Sequence, residues 1–424
     1  MIKHKKDFLS NKMPLITVPM KEAQTATALL MVKTGSKYET RQENGLSHFL
    51  EHMFFKGTEK RPNTFALSSA LDDLGGEFNA FTSKEYTGYY VKVAAGKLIA
   101  ALEILSDMIA NSKFDAEEIE REKGVIIEEL NMYEDNPLMH IEDVLESCLY
   151  SDTPAGWDTI GTKQNINSFK RQDFLRYYQR QYGAKSMTLI LSGAISAVDK
   201  KAAAKFFGTF SQNNWKDKIK VKEKQLKPAV KIAYKKTDQI NLALALRALP
   251  VAHSQEMALK LLAIILGGSM SSRLFISLRE RSGLAYYVKT GVEAYSDSGY
   301  LSTQAGVPKD KLKAAIKIII SEYKRIVSEK VELSELKRAQ DLLAGRLLMQ
   351  LEASDEVASW YGRQAVLRKK YFNPQELEKK IKQVTVTDIL KVAQMVVKTQ
   401  NLNLAVIGPV ASQQQNSLLK MLKF

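Results

Sequence analysis

The feature that most constrains the fold is a repeated order of strands and helices along the chain. Residues 189–194 (LILSGA) and 404–409 (LAVIGP) resemble each other, and each closes a run of alternating strands and helices. Self-similarity of this kind indicates a duplicated unit, here of about 200 residues. A chain of 424 residues is also too long for one ordinary core. We therefore predict an α+β fold of two duplicated domains, each a mostly antiparallel sheet covered by helices.

The composition between the two repeats predicts the domain boundaries. Residues 211–228 are polar and lysine-rich, which is typical of a linker. We predict an N-terminal domain at residues 1–210, this linker, and a homologous C-terminal domain at residues 229–424. Nine lysines between Lys216 and Lys236 alternate loosely with apolar residues. This pattern favours an edge strand with lysines facing water over a nucleic-acid-binding stripe.

Cysteine content and hydropathy indicate the compartment. The single cysteine, Cys148, cannot form a disulfide within the chain, which favours a reducing environment. The sequence contains neither a signal-peptide pattern nor a stretch of about 18 apolar residues. We therefore predict a cytoplasmic protein that does not bind membranes. The net charge of +15 leaves a basic binding module open, but no nucleic-acid motif accompanies it.

Residues 48–52 (HFLEH) carry the pattern most directly linked to chemistry. On a helix predicted for residues 46–56, His48 and His52 are four positions apart and project from one face. Two imidazoles and one further carboxylate make the open three-ligand site of a catalytic zinc, and Glu51 is placed to take a proton from water. The order His-x-x-Glu-His is the inverted zincin motif. The alternative is a partly buried helix that carries two hydrogen-bonded histidines.

A second predicted helix, residues 115–133, offers carboxylates. Glu122 and Glu129 are seven positions apart and share one face, and the apolar residues between them (Val125, Ile126 and Ile127) indicate a packed helix. A carboxylate directed to an interior is costly unless it meets a cation. Glu128 is a rival third ligand, although it points about 100° away from Glu129. The alternative is that the glutamates of this helix form a solvated acidic face.

With these residues the sequence resembles the pitrilysin and mitochondrial-processing-peptidase family of inverted zincins (peptidase family M16), in its short-chain dimeric form. In that family the distal zinc-ligating glutamate follows the second histidine by about 77 residues, with another glutamate seven residues earlier. The resemblance implies LuxS/metallopeptidase-like domains and Zn²⁺ bound by His48, His52 and Glu129. It further implies that Glu51 is the catalytic base and that Glu122 orients a ligand histidine.

Two further segments resemble the substrate-handling parts of this family. Residues 77–82 and 86–93 are predicted to form a hairpin. Residues 75–82 (GGEFNAFT) resemble the family's strand beside the zinc helix, which takes a peptide as an added strand, and make Asn79 and Ala80 candidate substrate contacts. A hairpin without a binding role remains the alternative. Residues 278–286 (LRERSGLAY), predicted as a helix over 273–281 and a strand from 285, resemble the family's arginine–tyrosine pair. The residues implied are Arg279 and Tyr286, which would hold substrate carbonyls and the oxyanion.

The resemblance implies a zinc-dependent endopeptidase that cleaves peptides or unfolded polypeptides in a chamber formed by two chains.

Arg281 and Tyr287 could be confused with the arginine–tyrosine pair, and either pair could merely stabilise a helix–strand junction. Because one chain carries both the zinc residues and this pair, a homodimer is favoured, while a heterodimer stays open. A catalytically silent structural or partner subunit is the alternative function. The glycine-rich loop of the family's non-catalytic processing subunit is represented only by residues 267–269 (GGS).

Overall fold

The computed structural model describes residues 3–213, 215–222 and 224–424. Met1, Ile2, Asn214 and Glu223 lie outside the described residues, the first two in the predicted N-terminal domain and the others in the predicted linker. Two mixed sheets with many helices confirm the predicted α+β class. Within the described residues, no helix is both long and apolar enough to cross a membrane.

The strands form two sheets of similar design. In chain order they are β1 (Lys5–Phe8), β2 (Pro14–Pro19), β3 (Thr25–Val32), β4 (Glu77–Thr82), β5 (Thr87–Ala94), β6 (Met187–Gly193), β7 (Ala229–Tyr234), β8 (Gln239–Arg247), β9 (Tyr287–Ala294), β10 (Gly299–Pro308) and β11 (Leu402–Gly408). The first sheet has the order β1-β2-β6-β3-β5-β4 and the second β7-β11-β8-β10-β9. Only β2–β6 and β7–β11 are parallel among these described pairs, so both sheets are mostly antiparallel, as predicted.

Helices cover both sheets. The α-helices are α1 (Leu46–Met53), α2 (Thr64–Asp72), α3 (Leu98–Ala110), α4 (Ala116–Asp135), α5 (Pro137–Tyr150), α6 (Lys163–Ser168), α7 (Arg171–Gln181), α8 (Ala197–Phe207), α9 (Glu256–Gly267), α10 (Leu312–Ser328), α11 (Leu333–Gln350), α12 (Ser354–Leu367), α13 (Pro374–Lys382), α14 (Val386–Val396) and α15 (Gln415–Leu419). Residues Phe275–Arg281 form a π-helix. Short 3₁₀ helices lie at Ser36–Tyr38, Arg41–Glu43, Ala95–Lys97, Lys309–Lys311, Thr399–Asn401 and Ser412–Gln414.

In the first sheet, both faces are covered. Every side chain of β3 from Ala26 to Val32 is buried. Its Thr27 hydroxyl lies 2.8 Å from the hydroxyl of Ser354 at the start of α12, and a Cβ on Gly362 of α12 would lie 2.7 Å from Met31 Cγ. Helix α12, which is distant in sequence, therefore covers the face of β3 to which Thr27 and Met31 belong.

The second sheet is covered in the same manner. The even-numbered side chains of β8, such as Leu242 and Leu244, join the larger core with helices α9, α10 and α14. The odd-numbered Ala243 and Ala245 pack with Leu145 and other apolar residues of α5. Helix α5 therefore covers one face of the second sheet, although it precedes β6 of the first sheet in sequence.

The chain separates into two compact units that are not continuous in sequence. The first contains Met1–Leu130, Asp158–Ile219 and Leu348–Pro374, and the second contains Asn131–Trp157, Lys220–Leu347 and Gln375–Phe424. These units follow from packing, whereas the predicted domains at 1–210 and 229–424 follow from the sequence repeat and stay a prediction. The expectation that the lysines of residues 216–236 all face water is wrong for Lys218. Its side chain is 6% exposed and lies 3.2 Å from the buried carboxylate of Glu85.

Most predicted elements near the motifs are present with small shifts. The predicted helix at 115–133 is α4, and the predicted strand at 77–82 has the bounds of β4. Val125 is 53% exposed, so the expectation that it helps to pack α4 is wrong; Ile126 is the buried one. The helix predicted for residues 273–281 is largely π-helical, and the strand predicted from residue 285 begins at Tyr287.

Candidate metal centre

Helix α1 divides its side chains between two faces. One face is apolar and buried in the core, and it consists of Leu46, Phe49, Leu50 and Met53. The other face carries His48, Glu51 and His52, at positions i, i+3 and i+4, which lie on one side of a helix. Packing of the apolar face therefore determines the direction in which the two imidazoles and the carboxylate point.

A buried carboxylate that the sequence analysis missed fixes the N-terminus of α1. Glu39 is 3% exposed and accepts hydrogen bonds from the backbone N–H groups of Ser47 (2.6 Å) and Gly45 (2.9 Å) and from Nδ2 of Asn44 (3.2 Å). Burial raises the pKa of Glu39 to about 7, although these hydrogen bonds oppose the shift. Glu39 lies between two short 3₁₀ helices, where no periodic pattern marks it in the sequence.

Helix α4 brings a carboxylate to the imidazoles of α1. Oε1 of Glu129 lies 3.6 Å from Nε2 of His48, and Oε2 lies 3.4 Å from Nε2 of His52. One ligand atom from each of these three residues lies within 4.8 Å of the other two. Glu128, the rival third ligand, is exposed on another side of α4. The structure therefore brings together the three residues that the sequence analysis selected as metal ligands.

The arrangement of these atoms fits a zinc ion. Bonds of about 2.0–2.2 Å in a tetrahedron separate two ligand atoms of one zinc by about 3.4 Å. The separations of 3.6 Å and 3.4 Å, which run from the two histidines to different oxygens of Glu129, are close to this value. Two neutral imidazoles and one carboxylate are also a donor set that zinc takes in hydrolases, with one position left for water. The residues present therefore suit Zn²⁺.

Glu122 and Lys56 orient one of the two histidines. Oε1 of Glu122 lies 2.9 Å from Nδ1 of His52, and Oε2 lies 2.5 Å from the ammonium of Lys56. An ionised carboxylate only accepts hydrogen bonds, so Nδ1 of His52 carries a proton toward Glu122. Nε2 faces Glu129 and is the nitrogen placed to bind a metal. Lys56 lies beyond the end of α1 and was not predicted as part of the centre.

The electrostatics of this cluster favour a cation. Burial lowers the pKa of His52, but hydrogen bonds to Glu122 and Glu129 outweigh this effect and raise it to about 9. Hydrogen bonds from His48 and His52 hold the pKa of Glu129 well below its usual range. Both shifts have the same cause, since two carboxylates lie beside two imidazoles in a partly buried site. Positive charge is therefore stabilised where the three ligand atoms converge.

Glu51 projects from α1 beside this cluster and contacts a different element. Its Oε2 accepts a hydrogen bond of 2.5 Å from the hydroxyl of Thr82, the last residue of β4. Burial raises the pKa of Glu51, which suits a group that must take up a proton near neutral pH. Thr82 is another residue that the sequence analysis did not assign, although it ends the segment that contains Asn79 and Ala80.

Strand β4 is at the edge of the first sheet and packs beside α1. Asn79 is exposed and Ala80 is half-buried. The N–H of Ala80 donates to Oδ1 of Asn79 at 2.8 Å, so it is not bonded to β5 and points to the free edge of the strand. The geometry is that of an edge to which an extended peptide can be added.

Arg279 and Tyr286 belong to the second unit. Arg279 is in the π-helix, and its guanidinium carbon lies 5.0 Å from the ring centroid of Phe275 and 5.7 Å from that of Tyr286. Tyr286 is 78% exposed, whereas Tyr287 is directed to Asn241, to which its hydroxyl donates at 2.9 Å. Of the two tyrosines, Tyr286 therefore has the ring that is free to meet a ligand.

Comparison with known proteins places these features in a family context. Residues 15–163 match the family described as "Insulinase (Peptidase family M16)", and residues 168–343 match "Peptidase M16 inactive domain". A relative from Bacillus subtilis (strain 168), "Uncharacterized zinc protease YmxG", is 34% identical over 379 residues, which are 89% of this chain and 91% of the relative.

Solved structures with the same fold include a protease and a respiratory complex. "The crystal structure of a protease from Helicobacter pylori" is 22% identical, with a TM-score of 0.89 over 96% of this chain and all of the other. A chain of "Complex III2 from Candida albicans, Inz-5 bound" is 17% identical, with a TM-score of 0.83 over 99% of this chain and all of the other. At these identities the likeness concerns the fold, which in these proteins consists of two similar domains.

Proposed function

Because the chain belongs to peptidase family M16, we propose that it is a zinc-dependent endopeptidase. The observation that carries the proposal is the convergence of His48, His52 and Glu129, with Glu51 beside them. Several curated relatives bear the name zinc protease. A silent chain has no need to keep three ligands and a base together, so the intact set favours catalysis.

Each residue of the cluster has a chemical role in this proposal. His48, His52 and Glu129 hold Zn²⁺, and Glu122 keeps the proton of His52 on Nδ1. Bound zinc supplies a Lewis acid that lowers the pKa of a water molecule toward 7. Glu51 accepts the proton of the attacking water at Oε1, because its Oε2 is engaged by Thr82, and later passes the proton to the leaving amine.

We place the substrate along the free edge of β4. A peptide added there as an antiparallel strand bonds through its main chain, and Ala80 offers an outward-pointing N–H. Asn79 must then release that N–H and can bond the peptide instead. Main-chain recognition requires an extended segment, so the substrate class is peptides or unfolded polypeptides rather than folded proteins.

We further propose that two copies of this chain enclose the site. In that arrangement Arg279 and Tyr286 of one copy bind the substrate carbonyl and the oxyanion at the metal of the other. Mixing a Glu51→Gln chain with a Tyr286→Phe chain tests this arrangement. Each variant alone should be inactive. An equal mixture should regain up to about a quarter of wild-type activity if chains pair at random, because about half of the dimers are mixed and each has one intact site of two. An inactive mixture whose subunits demonstrably exchange contradicts a site shared between chains.

A catalytically silent structural or partner subunit is the second candidate. It is favoured by the match to a domain described as inactive and by the likeness to a chain of a respiratory complex.

A cytoplasmic location is part of the first proposal, and fractionation of the host cell tests it.

Zinc content and chelator-sensitive cleavage separate these functions. Purified protein should contain about one zinc per chain by mass spectrometry and should cleave an internally quenched unfolded peptide. A chelator should abolish cleavage, and added zinc should restore it. Glu51→Gln is the matched control, because it should keep the metal and lose the activity. Zinc-loaded wild-type protein that cleaves no peptide in a broad library supports the silent subunit, and a chain that binds no zinc refutes both metal and base assignments.

A further inference from the structure

The two histidines and Glu129 do not hold the side chain of Glu51. Glu51 has three rotatable bonds, and ordering such a side chain costs about 1.5–2 kcal/mol of conformational entropy. A base that takes a proton from a bound water must have its carboxylate held in position before the reaction. In the structure, Thr82 contacts the carboxylate directly, at 2.5 Å.

The hydroxyl network around Thr82 determines where its proton goes. Thr82 Oγ1 lies 3.5 Å from Oγ1 of Thr87, but the Thr87 hydroxyl donates to the carbonyl oxygen of Thr34 at 3.1 Å. A hydroxyl has one proton, so Thr87 has none to offer Thr82. Thr82 therefore donates to its nearer partner, Oε2 of Glu51.

The backbone of Thr82 is fixed by the sheet rather than by the metal cluster. Thr82 pairs with Thr87 across β4 and β5, and Thr87 is fully buried. The N–H of Ser83 donates to the carbonyl oxygen of Tyr86 at 2.9 Å, which closes the hairpin directly after Thr82. The hydroxyl that meets Glu51 is thus anchored at the closed end of a hairpin, where strand fraying is smallest.

We propose that Thr82 is a positioning residue for the base Glu51, so that one strand, β4, both seats the peptide and orients the catalytic carboxylate. Thr82 is two residues beyond Ala80 on the strand that takes the substrate. This inference rests on the proposed peptidase function and adds a role for a residue outside the metal motif.

Two substitutions at this position separate the hydroxyl from its packing. Thr82→Val keeps the shape and removes the donor, whereas Thr82→Ser keeps the donor and removes a methyl group. We expect Thr82→Val to keep wild-type zinc content and a KM within about twofold, while kcat falls about 10- to 100-fold. Thr82→Ser should retain kcat within about threefold. A Thr82→Val kcat equal to that of wild type overturns the proposal, and so does a Thr82→Ser loss as large as that of Thr82→Val.

Crystal structures of the zinc-free wild type and Thr82→Val add a measurement that does not depend on activity. The wild type should show one Glu51 conformer on the Thr82 hydroxyl, and the variant should show Glu51 displaced or in several conformers. An unchanged Glu51 in Thr82→Val refutes the positioning role. If instead the wild type shows no chelator-sensitive cleavage, the proposed function fails, and the structures still decide whether Thr82 holds Glu51.

Discussion

Replacing Glu122 by glutamine should weaken zinc binding, because Glu122 lies between two donors. His52 Nδ1–H points at one oxygen, and the Lys56 ammonium at the other. A carboxylate satisfies both, whereas an amide has one oxygen and one NH₂ group. If the amide oxygen turns to Lys56, its NH₂ faces His52 and favours the tautomer that protonates Nε2, the atom needed for the metal. If it turns to His52, NH₂ faces an ammonium.

Either orientation costs about 1–3 kcal/mol, the penalty for one buried donor without an acceptor. Glu122 is 5% exposed, so water cannot readily relieve this penalty. We therefore expect zinc affinity to fall 10- to 100-fold, which corresponds to about 1.4–2.7 kcal/mol and agrees with the usual effect of losing such a partner.

Competition against a chromogenic zinc chelator at pH 7.5 measures this loss. Glu120→Gln is the matched control, because it removes a carboxylate from the same helix at a side chain that is 67% exposed. The control should bind zinc as the wild type does. Glu122→Gln that binds zinc as tightly as the control refutes the role of Glu122 in orienting His52, and equal losses in both variants show that only the net charge of α4 matters.

Three further predictions concern the surrounding fold. Burial raises the pKa of Glu39 from 4.5 to about 7, so the folded chain retains a proton that the unfolded chain releases. The protonated Glu39 contributes about 3 kcal/mol to the free energy of unfolding below pH 4.5, and this contribution is lost by about pH 7. The melting temperature of the wild type should therefore fall relative to that of Glu39→Gln between these pH values. Burial raises the pKa of the Cys148 thiol to about 11, so iodoacetamide at pH 8 should label Cys148 at least about tenfold more slowly in folded than in unfolded protein, by mass spectrometry. A Cβ on Gly35 would lie 2.1 Å from the carbonyl oxygen of Ser83, so Gly35→Ala should cost about 1–3 kcal/mol and lower the melting temperature; an unchanged value contradicts the close approach.

Local patterns predicted the elements that carry the centre. The strand predicted for residues 77–82 has the bounds of β4, and helical spacing placed His48 and His52 on one face of α1 with Glu51 beside them. The choice between Glu128 and Glu129 depended on the family resemblance, because both residues fit the helix. In the structure, only Glu129 of these two lies beside the histidines among the described residues.

Residues that support the centre from other elements could not be predicted. Thr82 meets Glu51 across 31 residues of sequence, and Glu39 reaches the N-terminus of α1 from an irregular segment. Neither contact leaves a periodic trace, because each depends on how two elements are placed in three dimensions. Lys218 shows the same limit. Nothing in the lysine-rich run distinguishes it from its exposed neighbours, and its burial depends on its contact with Glu85.

Periodicity also indicates which side of a helix is apolar, but not which sheet that side covers. Helix α12 covers a face of β3 in the first unit, and α5 covers a face of β8 in the second, although sequence order suggests the opposite assignment. Cutting the chain after residue 210 would therefore leave Leu29 and Met31 of β3, both fully buried, without the helix that touches them. The candidate metal ligands all precede residue 130, and the strands of the first sheet all precede residue 194, yet one face of β3 is covered only by α12, late in the chain. A cut between the two predicted domains would therefore remove α12 from the first unit and α5 from the second.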